Sequence, residues 1–119
     1  MKTNKKSTGA RLRIVLGPDI AIGPGKAAIL EEVRATGSIS AAGRSMGMGY
    51  KKAWYMVDTM NKCFSQPLVV TVKGGKRGGG AQLTELGEEV LSRYRKMEAL
   101  SSKAIGRELS ALKRKLALQ

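Results

Sequence analysis

The apolar positions change spacing several times along the chain, and each change predicts the boundary of a structural element. Residues 11–16 begin by alternating polar and apolar side chains and carry β-branched residues, which is typical of a strand. Gly17, Pro18 and Asp19 form a turn signal, and residues 20–22 return to an extended pattern. A short β-hairpin is therefore predicted near the start of the chain.

Two helices are predicted next, with boundaries set by glycine and serine. Residues 26–35 place apolar side chains at the spacing of a core-facing helix, and Gly37 suits a left-handed cap at its end. Ser38 or Ser40 can then cap a short second helix that runs through Met46.

A third helix, a second hairpin and a long final helix complete the pattern. The third helix is predicted over residues 49–64. Residues 68–72 are the strongest strand signal, and residues 81–83 extend again after the glycine-rich segment 73–80. The final helix runs from a cap at residue 84 to about residue 118, with apolar side chains three and four residues apart.

This order predicts a mainly α fold with a small β component, a winged helix-turn-helix with a long C-terminal helix. The three-helix core and the β-hairpin wing occupy residues 11–84. Residues 1–10 form a flexible basic arm, and the helix in residues 85–119 is expected to dimerise.

The helix-turn-helix prediction depends on small residues where two helix backbones approach closely. Ala42 and Gly43 lie on the supporting helix, and Gly47 supplies a turn residue that tolerates positive φ. Ala53 and Met56 then fall where the next helix packs back. An ordinary helical hairpin would also explain Gly47, but it leaves the charges on the third helix unexplained.

Charge narrows the choice of partner more than length or composition does. The 119 residues include 22 Lys and Arg and 9 Asp and Glu, for a net charge of +13. Residues 1–80 carry 14 of the basic residues and 4 of the acidic ones. This excess favours a polyanionic partner, either nucleic acid or an acidic membrane surface.

Several function classes are excluded or disfavoured by what the sequence lacks. Histidine is absent, which removes histidine-based acid–base catalysis and most zinc sites. The single cysteine, Cys63, cannot form an internal disulfide, so we expect a reducing, cytoplasmic compartment. No run of apolar residues is long enough to span a membrane, and an enzyme is the least favoured class.

The third helix has two chemically different faces. Its apolar side chains fall on one face at about 100° per residue, and the opposite face carries Lys51, Tyr55, Asp58 and Lys62. A recognition helix presents such a polar face to the major groove, where residues near its start reach base edges. The predicted reading residues are Tyr50, Lys51, Lys52 and Tyr55.

The segment over residues 73–80 combines five glycines with three cations and predicts a DNA-contacting wing. Lys73, Lys76 and Arg77 supply positive charge, and the glycines let the backbone approach the sugar-phosphate surface. The segment lacks the Gly-Lys-Ser/Thr ending of a nucleotide phosphate loop. A solvated hairpin tip is the remaining alternative.

Two further groups of contacts are predicted. Ser38 and Ser40 lie near helix starts, where backbone N–H groups can bind phosphate, with help from Arg44 and the basic arm. An apolar stripe on the last helix is expected to form a homodimer, unless the helix folds back on its own domain. The stripe consists of Val90, Tyr94, Met97, Ile105, Leu109, Leu112 and Leu116.

Four segments together resemble a known family. They are SISAAGRSMGMGYKKAW at residues 38–54, Met-Asn at 60–61, GGKRGGGA at 74–81 and LTELG at 83–87. Across residues 11–100 the chain resembles the N-terminal domain of ModE-type molybdate-responsive regulators, a winged helix related to the LysR type. The resemblance implies a homodimer that binds palindromic operators in double-stranded DNA, with the long helix taking part in dimerisation.

The same resemblance sets an expectation about cofactors. Full-length family members continue into a molybdate-binding region, whereas this sequence ends at Gln119, so no cofactor and no molybdate binding are expected. The predicted function is a sequence-specific transcription regulator. A nonspecific architectural DNA-binding protein of the nucleoid type and a protein-interaction module remain as alternatives.

Overall fold

The computed structural model describes residues 9–73 and 80–117, and within them it confirms the predicted winged-helix order. Two separate antiparallel hairpins flank the first three helices, and the second hairpin is the wing. The elements are β1 (Ile14–Gly17), β2 (Ile20–Ile22), α1 (Pro24–Thr36), α2 (Ile39–Ser45), α3 (Tyr50–Cys63), β3 (Val69–Val72), β4 (Gly80–Leu83) and α4 (Glu85–Lys113).

The ends of α1 and α2 follow from local residue chemistry. Pro24 is the first residue of α1, two residues before the predicted start, because its fixed φ fits the first helical turn. Gly37 ends α1 at φ 72°, and its N–H donates to the carbonyl of Val33. Ser38 caps α2, since its Oγ accepts the N–H of Ala41 at 3.1 Å.

The turn between α2 and α3 has the close approach that the small residues predict. A Cβ at Gly43 would lie 2.9 Å from the Cβ of Ala53, nearer than such atoms come in proteins. Gly47 has φ 70°, and the N–H of Met48 donates to the carbonyl of Gly43 at 2.9 Å. The backbones of the two helices can therefore approach closely because position 43 has no side chain.

The core lies between α1, α2, α3, the wing strands and the first half of α4. Its largest fully buried side chains are Tyr94, Ile29, Leu30, Leu68, Leu91 and Val33. Tyr94 has no exposed surface, and its hydroxyl donates to the carbonyl of Leu12 at 2.6 Å. The structure therefore removes Tyr94 from the predicted dimerisation stripe, because it packs inside its own chain.

The long helix α4 leaves the domain halfway along its length. Its first half is tied to α1 by ion pairs, with Arg34 contacting Glu88 at 2.8 Å and Arg95 contacting Glu31. It ends at Lys113 rather than near residue 118, because the N–H groups of Lys115 and Leu116 bond to carbonyls three residues back. None of the helices in the described part of the chain is long and apolar enough to cross a membrane.

The wing is fastened to the helical core through its backbone. The N–H of Ala81 in β4 donates to the carbonyl of Gly37 at 2.8 Å. A Cβ at Gly80 would lie 2.7 Å from that same carbonyl oxygen, so the strand approaches as closely as a glycine allows. The base of the wing is thereby held against the turn between α1 and α2.

Candidate nucleic-acid interface

Helix α3 presents its polar face to solvent, as its sequence predicts. Ala53, Val57 and Met60 are buried against the core. Lys51 and Tyr55 lie on the opposite face and are exposed, Tyr55 to 69 %. The side chains predicted to read DNA are therefore accessible to a partner.

Four cations near the start of the reading helix form no ion pair in the described part of the chain. Arg44, Lys51, Lys52 and Lys73 are exposed and form no ion pair within residues 9–73 and 80–117. The acidic residue on this face of α3, Asp58, pairs with Lys62 of the next turn at 2.9 Å. The local field is therefore positive, which suits a phosphate backbone.

Three acidic side chains are paired with arginines of α1 and α4. Glu31, Glu88 and Glu98 pair with arginines where α1 meets α4. Burial lowers the pKa of Arg95, but hydrogen bonds to Glu98 and Glu31 outweigh it and leave the pKa raised. These three carboxylates are thus neutralised within α1 and α4 and do not pair with the cations of α3.

Of the three wing cations predicted to contact DNA, one lies within the described residues. Lys73 is exposed just after β3. Lys76 and Arg77, also predicted to touch DNA, lie outside the described residues. The two strands that flank this segment, β3 and β4, pair in antiparallel register from Val69 with Leu83 to Val72 with Gly80.

The two serines predicted to contact phosphate at the start of α2 have different roles in the structure. Ser38 uses its Oγ as the helix cap, and its carbonyl accepts from the Oγ of Thr36 at 3.0 Å. Ser40 is half-buried and its hydroxyl makes no hydrogen bond among the described residues. Ser38 therefore holds the helix start in place, whereas Ser40 keeps a donor available.

A cleft brings these elements together on one side of the molecule. It has a volume of about 230 Å³ and lies between the start of α2, the start of α3 and the base of the wing. Tyr50 and Trp54 meet edge to face in its wall, with ring centroids 6.1 Å apart. The cleft is lined by Ser38, Ile39, Ser40, Tyr50, Trp54, Thr71, Gly80 and Ala81.

Asn61 is a residue whose positioning role the sequence does not reveal. Its Oδ1 accepts the N–H groups of Leu68 at 2.8 Å and Val69 at 3.1 Å, and its Nδ2 donates to the carbonyl of Val69 at 3.0 Å. The side chain thus joins the end of the reading helix to the first wing strand. The sequence feature that could have indicated this role is the Met-Asn segment at residues 60–61, which is part of the resemblance to the ModE-type family.

The rest of the predicted dimerisation stripe falls into two groups. Val90 and Met97 pack partly against the core of their own chain. Farther along α4, Ile105 and Leu109 are half-buried and Leu100 and Leu112 are exposed, as is Leu116 just after the helix. The exposed part of the predicted stripe therefore lies beyond the point where α4 leaves the domain.

Comparisons with known proteins give three informative relatives, although no family model matches. The chain is 37 % identical over 98 residues to the molybdenum transport protein ModE of Azotobacter vinelandii, covering 82 % of this chain and 36 % of that protein. It is 42 % identical over 92 residues to the molybdenum-pterin-binding protein MopB of Rhodobacter capsulatus, covering 77 % and 30 %. It is 35 % identical over 81 residues to the DNA-binding transcriptional dual regulator ModE of Escherichia coli strain K12, covering 68 % and 31 %.

The chain matches a ModE-type N-terminal domain. The resemblance expected from the sequence is therefore confirmed. The chain spans about a third of the length of the curated relatives that it matches. This part fits the DNA-binding domain of the ModE regulators, of which the Escherichia coli relative is named a DNA-binding transcriptional dual regulator.

Proposed function

We propose that this protein is a sequence-specific DNA-binding transcription regulator that reads double-stranded DNA with α3 and its wing. The observation that carries the proposal is the exposed, unpaired positive face at the start of α3 beside the wing base. Lys51 and Lys52 lie where residues of a recognition helix reach base edges, and Lys73 lies beside the wing. We also propose a cytoplasmic location, on the ground that the single cysteine, Cys63, forms no internal disulfide.

Selection of binding sites from random duplex DNA, followed by affinity measurement, tests this proposal. The double variant Lys51→Ala/Lys52→Ala should bind the selected duplex at least tenfold more weakly, with unchanged helical circular dichroism. The matched control is Lys96→Ala/Lys103→Ala, which removes the same charge from exposed positions on α4. Equal affinity of the two double variants would place the reading surface elsewhere.

A nonspecific architectural DNA-binding protein is the second candidate, and the net charge of +13 favours it. A sequence-specific reader prefers its own site over bulk DNA by about a thousandfold or more. Competition between the selected duplex and genomic DNA therefore separates the two candidates. A preference of less than about tenfold favours the architectural function.

We also propose that the regulator acts as a homodimer on a palindromic operator. The support is the apolar surface on the second half of α4 and just after it, where Leu112 is 68 % exposed and Leu116 is 58 % exposed. Two copies related by a twofold axis place their α3 helices on successive major-groove segments, which gives an operator with the same symmetry.

Molybdate independence is a further part of the proposed function. Relatives of this chain carry molybdenum in their names, but the chain covers only about a third of each of them. We propose that the residues present here bind DNA without molybdate. Affinity for the selected duplex should be the same with and without added molybdate, and a change would contradict this part of the proposal.

A further inference from the structure

The cleft between α2, α3 and the wing contains hydroxyl groups with no hydrogen-bond partner in the described part of the chain. They belong to Ser40, Tyr50 and Thr71. Tyr50 is 60 % exposed and Thr71 is also exposed, so both hydroxyls can reach a ligand. Three elements that are separate in sequence thus converge on one place with free donors.

Trp54, in the wall of the cleft, also carries a donor without a partner in the described part of the chain. Its Nε1 is buried and finds no acceptor among residues 9–73 and 80–117. Buried donors in folded proteins nearly always have a partner, which is supplied by protein, water or ligand. The cleft that Trp54 lines holds about 230 Å³, several times the roughly 30 Å³ of one water, so a larger oxygen-bearing group fits.

The geometry of a winged helix on DNA identifies that group. A recognition helix occupies the major groove, while a wing beside it lies along the neighbouring minor groove or its edge. A sugar-phosphate strand separates the two grooves, so it must pass between the helix and the wing. In this protein the cleft occupies that position, between the start of α3 and the base of β3 and β4.

We propose that the cleft seats one backbone phosphate of the bound duplex, and that Thr71 is a DNA-contacting residue. The hydroxyls of Ser40, Tyr50 and Thr71 donate to the phosphate oxygens. These donors are neutral, so they fix the position of the strand between helix and wing, while the lysines supply long-range attraction. The inference rests on the proposed DNA-binding function.

Single-phosphate substitution tests the proposal. A duplex obtained by selection from random DNA is prepared in versions that each carry one methylphosphonate, which removes the charge of that phosphate. With the full chain, one position should weaken binding about tenfold in the wild type, as expected for a lost hydrogen bond to a charged group. In the duplex with the methylphosphonate at that position, Thr71→Val should reduce affinity by a smaller factor than in duplexes substituted at any other contacted phosphate.

Matched variants separate a contact from a loss of stability. Thr71→Val should bind the unmodified duplex about tenfold more weakly, while Thr71→Ser keeps the hydroxyl and restores binding. Ser92→Ala removes an exposed hydroxyl on α4, outside the cleft, and should leave affinity unchanged. The salt slope of Thr71→Val should equal that of the wild type, because a neutral group releases no counterion.

The single tryptophan provides a second readout at the cleft itself. The chain has one Trp, so its indole N–H gives one resonance in a nitrogen–proton correlation spectrum. This resonance should shift when the wild type binds the duplex, and the shift should be smaller for Thr71→Val.

The possible outcomes distinguish this inference from the function on which it rests. If Thr71→Val binds the duplex as tightly as the wild type, or loses the same factor at every substituted phosphate, the phosphate cleft is wrong although the protein still binds DNA. If the wild type binds no selected duplex at all, the proposed function itself fails.

Discussion

Gly43 is the residue at which the helix-turn-helix depends most directly on the absence of a side chain. Gly43→Ala places a Cβ 2.9 Å from the Cβ of Ala53, so α2 and α3 must move apart. We expect a loss of about 1–3 kcal/mol in the free energy of unfolding, measured by urea denaturation.

A second glycine provides the control for this prediction. Gly106 lies within α4, and a Cβ there meets nothing within 4 Å. Gly106→Ala should raise the free energy of unfolding by about 0.5–1 kcal/mol, because alanine loses less conformational freedom in a helix. Equal effects of the two substitutions would show that the contact between Gly43 and Ala53 does not limit the approach of the helices.

Tyr94 makes the stability of the domain sensitive to alkaline pH. Burial raises the pKa of Tyr94 above its ordinary value of 10.0, with a smaller contribution from Glu98. The folded state therefore holds the phenolic proton more tightly than the unfolded state does. The resulting stability is fully present below pH 10 and is lost as the pH rises through the folded pKa.

Urea titrations between neutral and alkaline pH check this expectation. Tyr94→Phe should lower stability at neutral pH by about 1 kcal/mol, because the hydrogen bond to Leu12 is lost. The free energy of unfolding of this variant should also decline less steeply than that of the wild type as the pH rises into the alkaline range. The exposed residue Tyr55, replaced by Phe, provides the control, and an unchanged slope in Tyr94→Phe would contradict the assignment.

At the scale of elements, Asn61 fixes the position of the wing relative to the reading helix. Asn61→Ala removes three hydrogen bonds to Leu68 and Val69 and leaves two backbone N–H groups without these acceptors. We expect a stability loss of about 1–3 kcal/mol and weaker binding to the selected duplex at a temperature where the variant remains folded. Gln66→Ala, at an exposed position in the following loop, is the control and should change neither quantity.

The wing also shows which elements can be predicted from a local pattern. β3 is recognisable from its run of β-branched residues, and α3 from its apolar face. Their mutual arrangement depends on one amide side chain, which bonds across the loop between them, and on the bond from Ala81 to Gly37, which joins residues distant in sequence. No periodicity encodes such a contact, so the cleft between α3 and the wing could not be predicted.

At the scale of the whole molecule, the second half of α4 determines the expected oligomeric state. Leu112→Lys places a charge in the proposed dimer interface, where its desolvation opposes association. Sedimentation at micromolar concentration should find the wild type dimeric and Leu112→Lys shifted toward monomer. Ser110→Lys adds the same charge at another exposed position on α4 and should remain dimeric. A wild type that stays monomeric would remove the palindromic-operator proposal.

The electrostatic part of the proposed function also belongs to the whole molecule. A dimer that engages roughly six phosphates should lose affinity with salt, with a logarithmic slope near −5. The measurement is the affinity for the selected duplex across a salt series. A slope near zero would contradict the role assigned to the net charge of +13.

The sequence alone determined the order of elements, the polar face of α3 and the excess of positive charge. These properties are local or additive, since each depends on neighbouring residues or on composition. Tertiary structure decided which apolar residues of α4 are available to a partner. Tyr94 and Leu112 both belong to the same pattern of apolar residues three and four positions apart, yet Tyr94 is fully buried and Leu112 is 68 % exposed. The difference arises because only the first half of α4 packs on the domain, and helical spacing does not state where a helix leaves its core.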